Sequence, residues 1–108
     1  MLPARIHKNS GKADKGRRSP AHRAWVRQHA CSACGSTVAI ECAHIRIGTD
    51  GGTGIKPSDK WCVSLCRDCH HRQHEMGEAT FWQMVSMDPL ELAREFLRQS
   101  PHRRKLED

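Results

Sequence analysis

Cys31-x-x-Cys34 and Cys66-x-x-Cys69 set two pairs of thiols in the chain, each pair within a single turn. Two such turns together close a tetrahedron of thiolates, the geometry that suits Zn²⁺ with four sulfur ligands. The second pair falls at the start of a helical segment, where backbone N–H groups stabilise thiolate charge. A redox dithiol would need one such unit on a βαβ frame, and the sequence has no such pattern. The reading is therefore a structural zinc, which staples a fold and says nothing of catalysis. Cys42 and Cys62 are left over. They read as buried small hydrophobes, with a second metal site as the alternative.

The histidines make a second constellation. His70 and His74 are four apart, so they share one helix face and could chelate one divalent ion. His71 points away from that pair. His44 ends a strand between the thiol pairs, and zinc must bring that strand close to the helix. One histidine on a strand facing two on a helix, in a basic setting with no other nucleophile, suits metal-assisted phosphodiester hydrolysis. An imidazole takes a proton from water, while an ion stabilises charge on the phosphorane and the leaving oxygen. Arg46, Arg67 and Arg72 flank the site and could hold phosphates. A surface role as solvated charge is the plain alternative for them.

The elements that must position these residues are short. Ser19-Pro20 reads as an N-cap followed by proline at the first helical position, opening a helix to about His29. Its Ala24-Trp25 face would turn inward, and Arg23 and Arg27 outward. Val38 to Ile45 has the β-branched, mostly apolar look of a buried strand, and Trp61 to Leu65 that of a second. Between them Gly48 to Gly54 must be a loop. It is not a Walker phosphate cradle, because Lys56 is followed by Pro57 and no magnesium-binding Ser or Thr stands in place. A loop of that composition lets the backbone lie close to the hairpin or to DNA.

Helices are expected over Cys69 to Glu75, which Gly77 breaks, over Glu78 to Ser86, and from Pro89 onward. Phe81, Trp82 and Val85, then Leu90, Ala93 and Leu97 beside Phe96, are core stripes. The result is a small α+β chain: a zinc-stapled ββα core, treble-clef-like, with flanking helices. Its divisions are a disordered basic arm over 1–18, a core with its leading helix over 19–76, C-terminal helices over 77–100 and a tail over 101–108.

At 108 residues the chain makes one small domain, and with 37% hydrophobic residues its core is thin enough to need the zinc. The net charge of +6 is placed unevenly. Residues 1–30 carry eight Lys and Arg against Asp14 alone; the other 78 carry ten basic and eleven acidic residues. An arm of that kind, Arg17 and Arg18 included, contacts nucleic acid through phosphates with a salt-dependent affinity. Its plain alternative is a solubilising tail. No apolar run approaches the ~20 residues of a membrane span and no signal peptide is visible, so a cytoplasmic chain with no membrane partner is expected.

Taken together, Cys31-x-x-Cys34, Ala43-His44-Ile45, a long loop, then Val63-Ser64-Leu65-Cys66-x-x-Cys69-His70 with His74 resemble the zinc-braced HNH, or His-Me finger, endonucleases. Ala24-Trp25-Val26-Arg27, the loop from Gly51 to Asp59, and Gly77-Glu78-x-x-Phe81-Trp82 are similar to its phage and prophage branch. That branch includes a recombination-enhancement nuclease acting with RecA filaments. The resemblance spans about Ser19 to Trp82. It implies a ββα finger whose helix lies in the minor groove, His44 as general base, and His70 in the catalytic metal site with His74 as second ligand. Mg²⁺ or another divalent ion would serve there, beside the structural Zn²⁺.

Two positions depart from the family pattern. Trp61 stands where the family's middle Asn usually starts the second strand, and Asp59 is the nearest residue to replace it, as a metal ligand or in orienting His44. Ala43 stands where many members carry an acidic ligand. The resemblance implies a metal-dependent DNA endonuclease of recombination or DNA processing. The alternatives are a non-catalytic zinc module that binds DNA or a protein, and a small partner-binding protein of phage recombination or packaging.

Overall fold

The computed structural model describes residues 16–51 and 56–106. Among them two strands form one antiparallel hairpin, β1 (Ile40–His44) and β2 (Cys62–Cys66), with His44 opposite Cys62 and Ile40 opposite Cys66. Four helices surround it: α1 (Pro20–Val26), α2 (Arg67–Met76), α3 (Glu78–Met84) and α4 (Pro89–Gln99). Short 3-10 turns cover Asp59–Trp61 and Arg103–Lys105. No helix among the described residues is long and apolar enough to cross a membrane.

The ends of these elements have local causes. Ser19 caps α1 by accepting from the His22 amide, and Pro20 fills the first turn as its sequence requires. The helix stops at Val26, earlier than expected. Gln28 and His29 continue it only as a tighter turn, bonding back to Trp25 and Val26. β1 begins at Ile40 and not at Val38, because Ala39 sits at φ 55°, a left-handed conformation that breaks an extended chain. Val38 is left 72% exposed.

α2 begins at Arg67, two residues ahead of the expected Cys69, because Cys66 ends the strand and caps the helix at once: its sulfur accepts from the Cys69 amide. Gly77, at φ 89°, ends α2 and starts α3. Asp88 caps α4 by accepting from the amides of Leu90 and Glu91.

The core gathers Ala43, Ile45, Val63, Leu65, Phe81, Trp82 and Ala93, all nearly or wholly buried, beside the cysteines. All five residues of β2 are buried, since α1, α2 and α4 all pack on it. One polar lock lies within this core: Trp82 Nε1 donates to Gln73 Oε1 at 2.7 Å, tying α3 to α2. Another ties the two ends of the chain. His22 is fully buried, with Nδ1 2.8 Å from the Ser100 hydroxyl just after α4.

The ends of the chain differ from expectation. Of the arm expected over 1–18, residues 1–15 lie outside the described ones. Arg17 and Arg18 are not part of a free arm: Arg17 donates to the Lys56 carbonyl, and Arg18 to the carbonyls of Lys56 and Pro57. The tail expected from 101 folds back, because Leu106 offers an apolar side chain that is 1% exposed. Residues 107–108 lie outside the described ones.

Candidate functional site

Two groups of chemically active side chains sit at opposite ends of the hairpin. At one end Cys31 and Cys34 share a tight turn, closed by Gly35 at φ 80° and by the Gly35 amide on the Cys31 carbonyl. Cys66 ends β2 and Cys69 lies in the first turn of α2. The four sulfurs lie within 4.8 Å of one another, and those of Cys34 and Cys66 are 3.7 Å apart. A Zn²⁺ with bonds of about 2.3 Å would set tetrahedral sulfurs about 3.8 Å apart, so the cluster fits that ion. Burial works against a Cys31 thiolate, but the backbone N–H groups of Cys66, Cys34 and Ala33 outweigh it and hold the thiol at about 7. These four cysteines can hold a metal, as their spacing predicts.

At the other end stands His44. Four residues of strand, about 13 Å, separate the Ile40–Cys66 pair from the His44–Cys62 pair. That distance removes His44 from the thiol cluster. Its Nε2 lies 2.8 Å from Asp59 Oδ1. Asp59 is completely buried at the start of the 3-10 turn leading into β2, and its carboxylate is saturated. It also accepts from the Ser19 amide at 2.7 Å and pairs with Arg23 and, at 3.4 Å, with Arg18. Burial alone would raise its pKa. The hydrogen bonds from His44, Ser19 and Arg23 prevail and bring it down to about 2.

The second wall belongs to α2. His70 Nδ1 lies 2.8 Å from Glu41 Oε1 on β1, and the His70 and His74 rings are 4.9 Å apart and tilted by 36°, on one helix face as their spacing requires. His71 faces solvent and pairs with Glu75. Between the walls lies a cleft of about 480 Å³. Arg23 enters it from α1 and Arg27 from the cap of that helix, Glu41, Cys42 and His44 from β1, and His70 and His74 from α2, and Arg46 and Lys56 line it as well. Five imidazole- or guanidinium-bearing residues other than Arg46 thus converge there with one carboxylate.

Of the residues expected from the sequence, His44, His70, His74 and Arg46 share this cleft. Asp59 lies behind His44, and its oxygens are committed to His44, Arg18, Arg23 and Ser19. Arg67 and Arg72 are exposed on α2 and do not line the cleft. Arg17 and Arg18 hold the 56–59 segment, and Arg17 also pairs with Asp50. Arg23 departs from its expected outward position, because the buried Asp59 draws it in.

Sequence reasoning missed Glu41, although a lone acid within an apolar strand was a signal. It missed His22 too, whose burial depends on Ser100 far along the chain. At Gly51 an added Cβ would lie 2.5 Å from Pro57 Cγ, a close approach within the segment between the strands and not to the hairpin; residues 52–55 lie outside the described ones.

A protein-family model described as "Protein of unknown function (DUF968)" matches residues 10–101. No curated protein and no solved structure matches the chain.

Proposed function

We propose that this chain, which belongs to the family described as Protein of unknown function (DUF968), is a metal-dependent DNA endonuclease of the zinc-braced His-Me finger type. The observation that carries the reading is the His44–Asp59 pair in the wall of a cationic cleft, across from His70 and His74. The chain order of hairpin then helix is the one a ββα finger calls for.

A carboxylate with a pKa of about 2 is ionised at neutral pH and can only accept, so the His44 Nε2 must donate to it. Neutral His44 therefore carries its lone pair on Nδ1, ready to take a proton from water. Asp59 then stabilises the imidazolium that forms, in the manner of an oriented His–Asp pair. Arg23, Arg27 and Lys56 give the cleft the positive charge that a phosphodiester backbone needs.

His70 and His74 would hold the divalent ion. The Glu41 carboxylate accepts from His70 Nδ1, which leaves the Nε2 lone pair for ligation, the usual support of a metal-binding histidine. A donor set of imidazoles fits Mn²⁺, Ni²⁺ or a similar ion better than Mg²⁺, which prefers oxygen. When bound, the ion supplies charge stabilisation for the phosphorane and the leaving oxygen.

The test is plasmid nicking with Mg²⁺, Mn²⁺, Ni²⁺ or EDTA, with His44→Ala alongside. Nicking that needs the ion and falls by about 10²-fold or more in the variant supports the reading. An active His44→Ala refutes the base. DNA binding without nicking in every ion favours a zinc-stapled binding module.

A further inference from the structure

A second group of ligating atoms lies beneath the cleft, apart from the four-cysteine cluster. The ligand atoms of His44, Asp59 and Cys62 are all within 4.8 Å of one another. Cys62 and Asp59 are completely buried, and the His44 side chain is 11% exposed. Buried ligands already gathered lose little freedom on binding an ion, which is what distinguishes a preformed site from a chance surface cluster.

Cys42 adds to the group. Strand alternation puts it on the same hairpin face as His44, which pairs with Cys62. Cys42 lies beside Cys62, outside the group of three itself, and lines the cleft, so it offers both a second sulfur nearby and a way in.

We propose that His44, Asp59 and Cys62, with Cys42 beside them, form a second metal site for a thiophilic divalent cation such as Zn²⁺, and that filling it silences His44. Sulfur, nitrogen and carboxylate donors together select Zn²⁺ over Mg²⁺ or Ca²⁺. Binding displaces the Cys62 proton to solvent as the Zn–S bond forms; no oxidation occurs. With the Asp59 carboxylate and one thiolate the site is neutral. With the Cys42 thiolate as well it carries one negative charge, which Arg23 and Arg18 face.

Ligation takes the single lone pair of neutral imidazole whichever nitrogen is bound, and the other nitrogen then carries the proton. No lone pair remains for water. An ion on Oδ1 replaces the contacts that this oxygen makes with His44 and Arg18, while Oδ2 keeps those with Ser19 and Arg23, so the site can fill without unfolding its frame. The silencing half of the proposal rests on the nuclease reading above, and the binding half does not.

The experiment titrates Co²⁺ and then zinc into the purified full chain and counts only the equivalents whose Co²⁺ form shows thiolate-to-metal charge transfer, so that an ion held by His70 and His74 is not counted. The parent should hold two equivalents, and Cys62→Ala one, with the four-cysteine Co²⁺ spectrum retained as proof of folding. Cys42→Ala is the second variant, and it should hold the second equivalent about 10-fold or more weakly. A parent that stops at one equivalent, or a Cys62→Ala chain that still holds two, overturns the site. In the nicking assay with Mn²⁺, the second equivalent should abolish activity in the parent and leave Cys62→Ala active. Equal loss in both overturns the silencing. Two equivalents lost to one in Cys62→Ala, with no nicking under any condition, uphold the metal site and sink the nuclease reading alone.

Discussion

His44 and Asp59, fifteen residues apart, meet through a 2.8 Å contact between Nε2 and Oδ1, with the carboxylate wholly screened from water. Three further partners converge on the same carboxylate, Arg18 and Ser19 from the segment that leads into α1 and Arg23 from α1 itself. One buried anion thereby fixes the imidazole, the start of the first helix and the entry to β2.

Replacing that anion separates its two roles. Asp59→Asn keeps the shape but no longer enforces the Nε2–H tautomer of His44, and it leaves Arg18 and Arg23 without their counter-charge. Nicking is expected to fall by about 10²-fold or more, read as initial rate at saturating metal. The folded chain also changes its acid response. A carboxylate lowered from 3.8 to about 2 binds fewer protons folded than unfolded. Its contribution, about 2 kcal/mol, is therefore present above about pH 4 and lost as pH falls through about 2. Denaturant melts between pH 5 and 2 should show that loss in the parent, and Asp59→Asn should lack it.

His22 gives a pH dependence of its own. Burial lowers its pKa below 6.5; the nearby Asp59 opposes the shift and His102 adds to it. A depressed histidine binds fewer protons folded than unfolded, so its contribution is full above about 6.5 and declines as pH drops below that value. His22→Asn can keep the Ser100 bond without titrating. The difference in melting temperature between parent and variant should widen in favour of the variant from pH 7 to pH 5.

The four-cysteine cluster should decide whether the chain folds. Structural zinc contributes on the order of 10 kcal/mol, comparable with the whole stability of a small domain. Stripping it with a strong chelator, or substituting Cys69→Ser, is expected to abolish the cooperative thermal transition seen by circular dichroism. Cooperative unfolding that survives metal removal would show that the apolar core suffices.

Glu41 is the partner of His70, and its side chain is 44% exposed, so its removal costs little stability. Glu41→Ala should raise the concentration of Mn²⁺ needed for half-maximal nicking by about 10–100-fold, with the melting temperature nearly unchanged. An unaltered metal requirement would detach Glu41 from the site.

The sequence was most informative where the relevant geometry is local. Cys-x-x-Cys spacing, the Ser19-Pro20 cap, the Asp88-Pro89 cap and the four-residue step from His70 to His74 all act within one turn, and each takes the expected form. Arg23 faces inward because its partner is 36 residues away, which no helical pattern encodes. Arg17 and Arg18 count as positive charge in any composition, yet the carbonyls of the 56–57 segment hold them. The pairing of His22 with Ser100 spans 78 residues. Long-range partners, and the left-handed turn at Ala39, are decided by packing of the whole chain.

Cys69 and His70 are neighbours in sequence, yet one belongs to the thiol cluster and the other to the cleft. An α-helix advances about 100° per residue, so inserting or deleting one position between them would swing His70 and His74 a quarter-turn away from Glu41 and His44. Lengthening cannot be absorbed there as a surface loop absorbs it. Along this stretch the reading frame of the helix is itself a dimension of the site, fixed as firmly as any bond length.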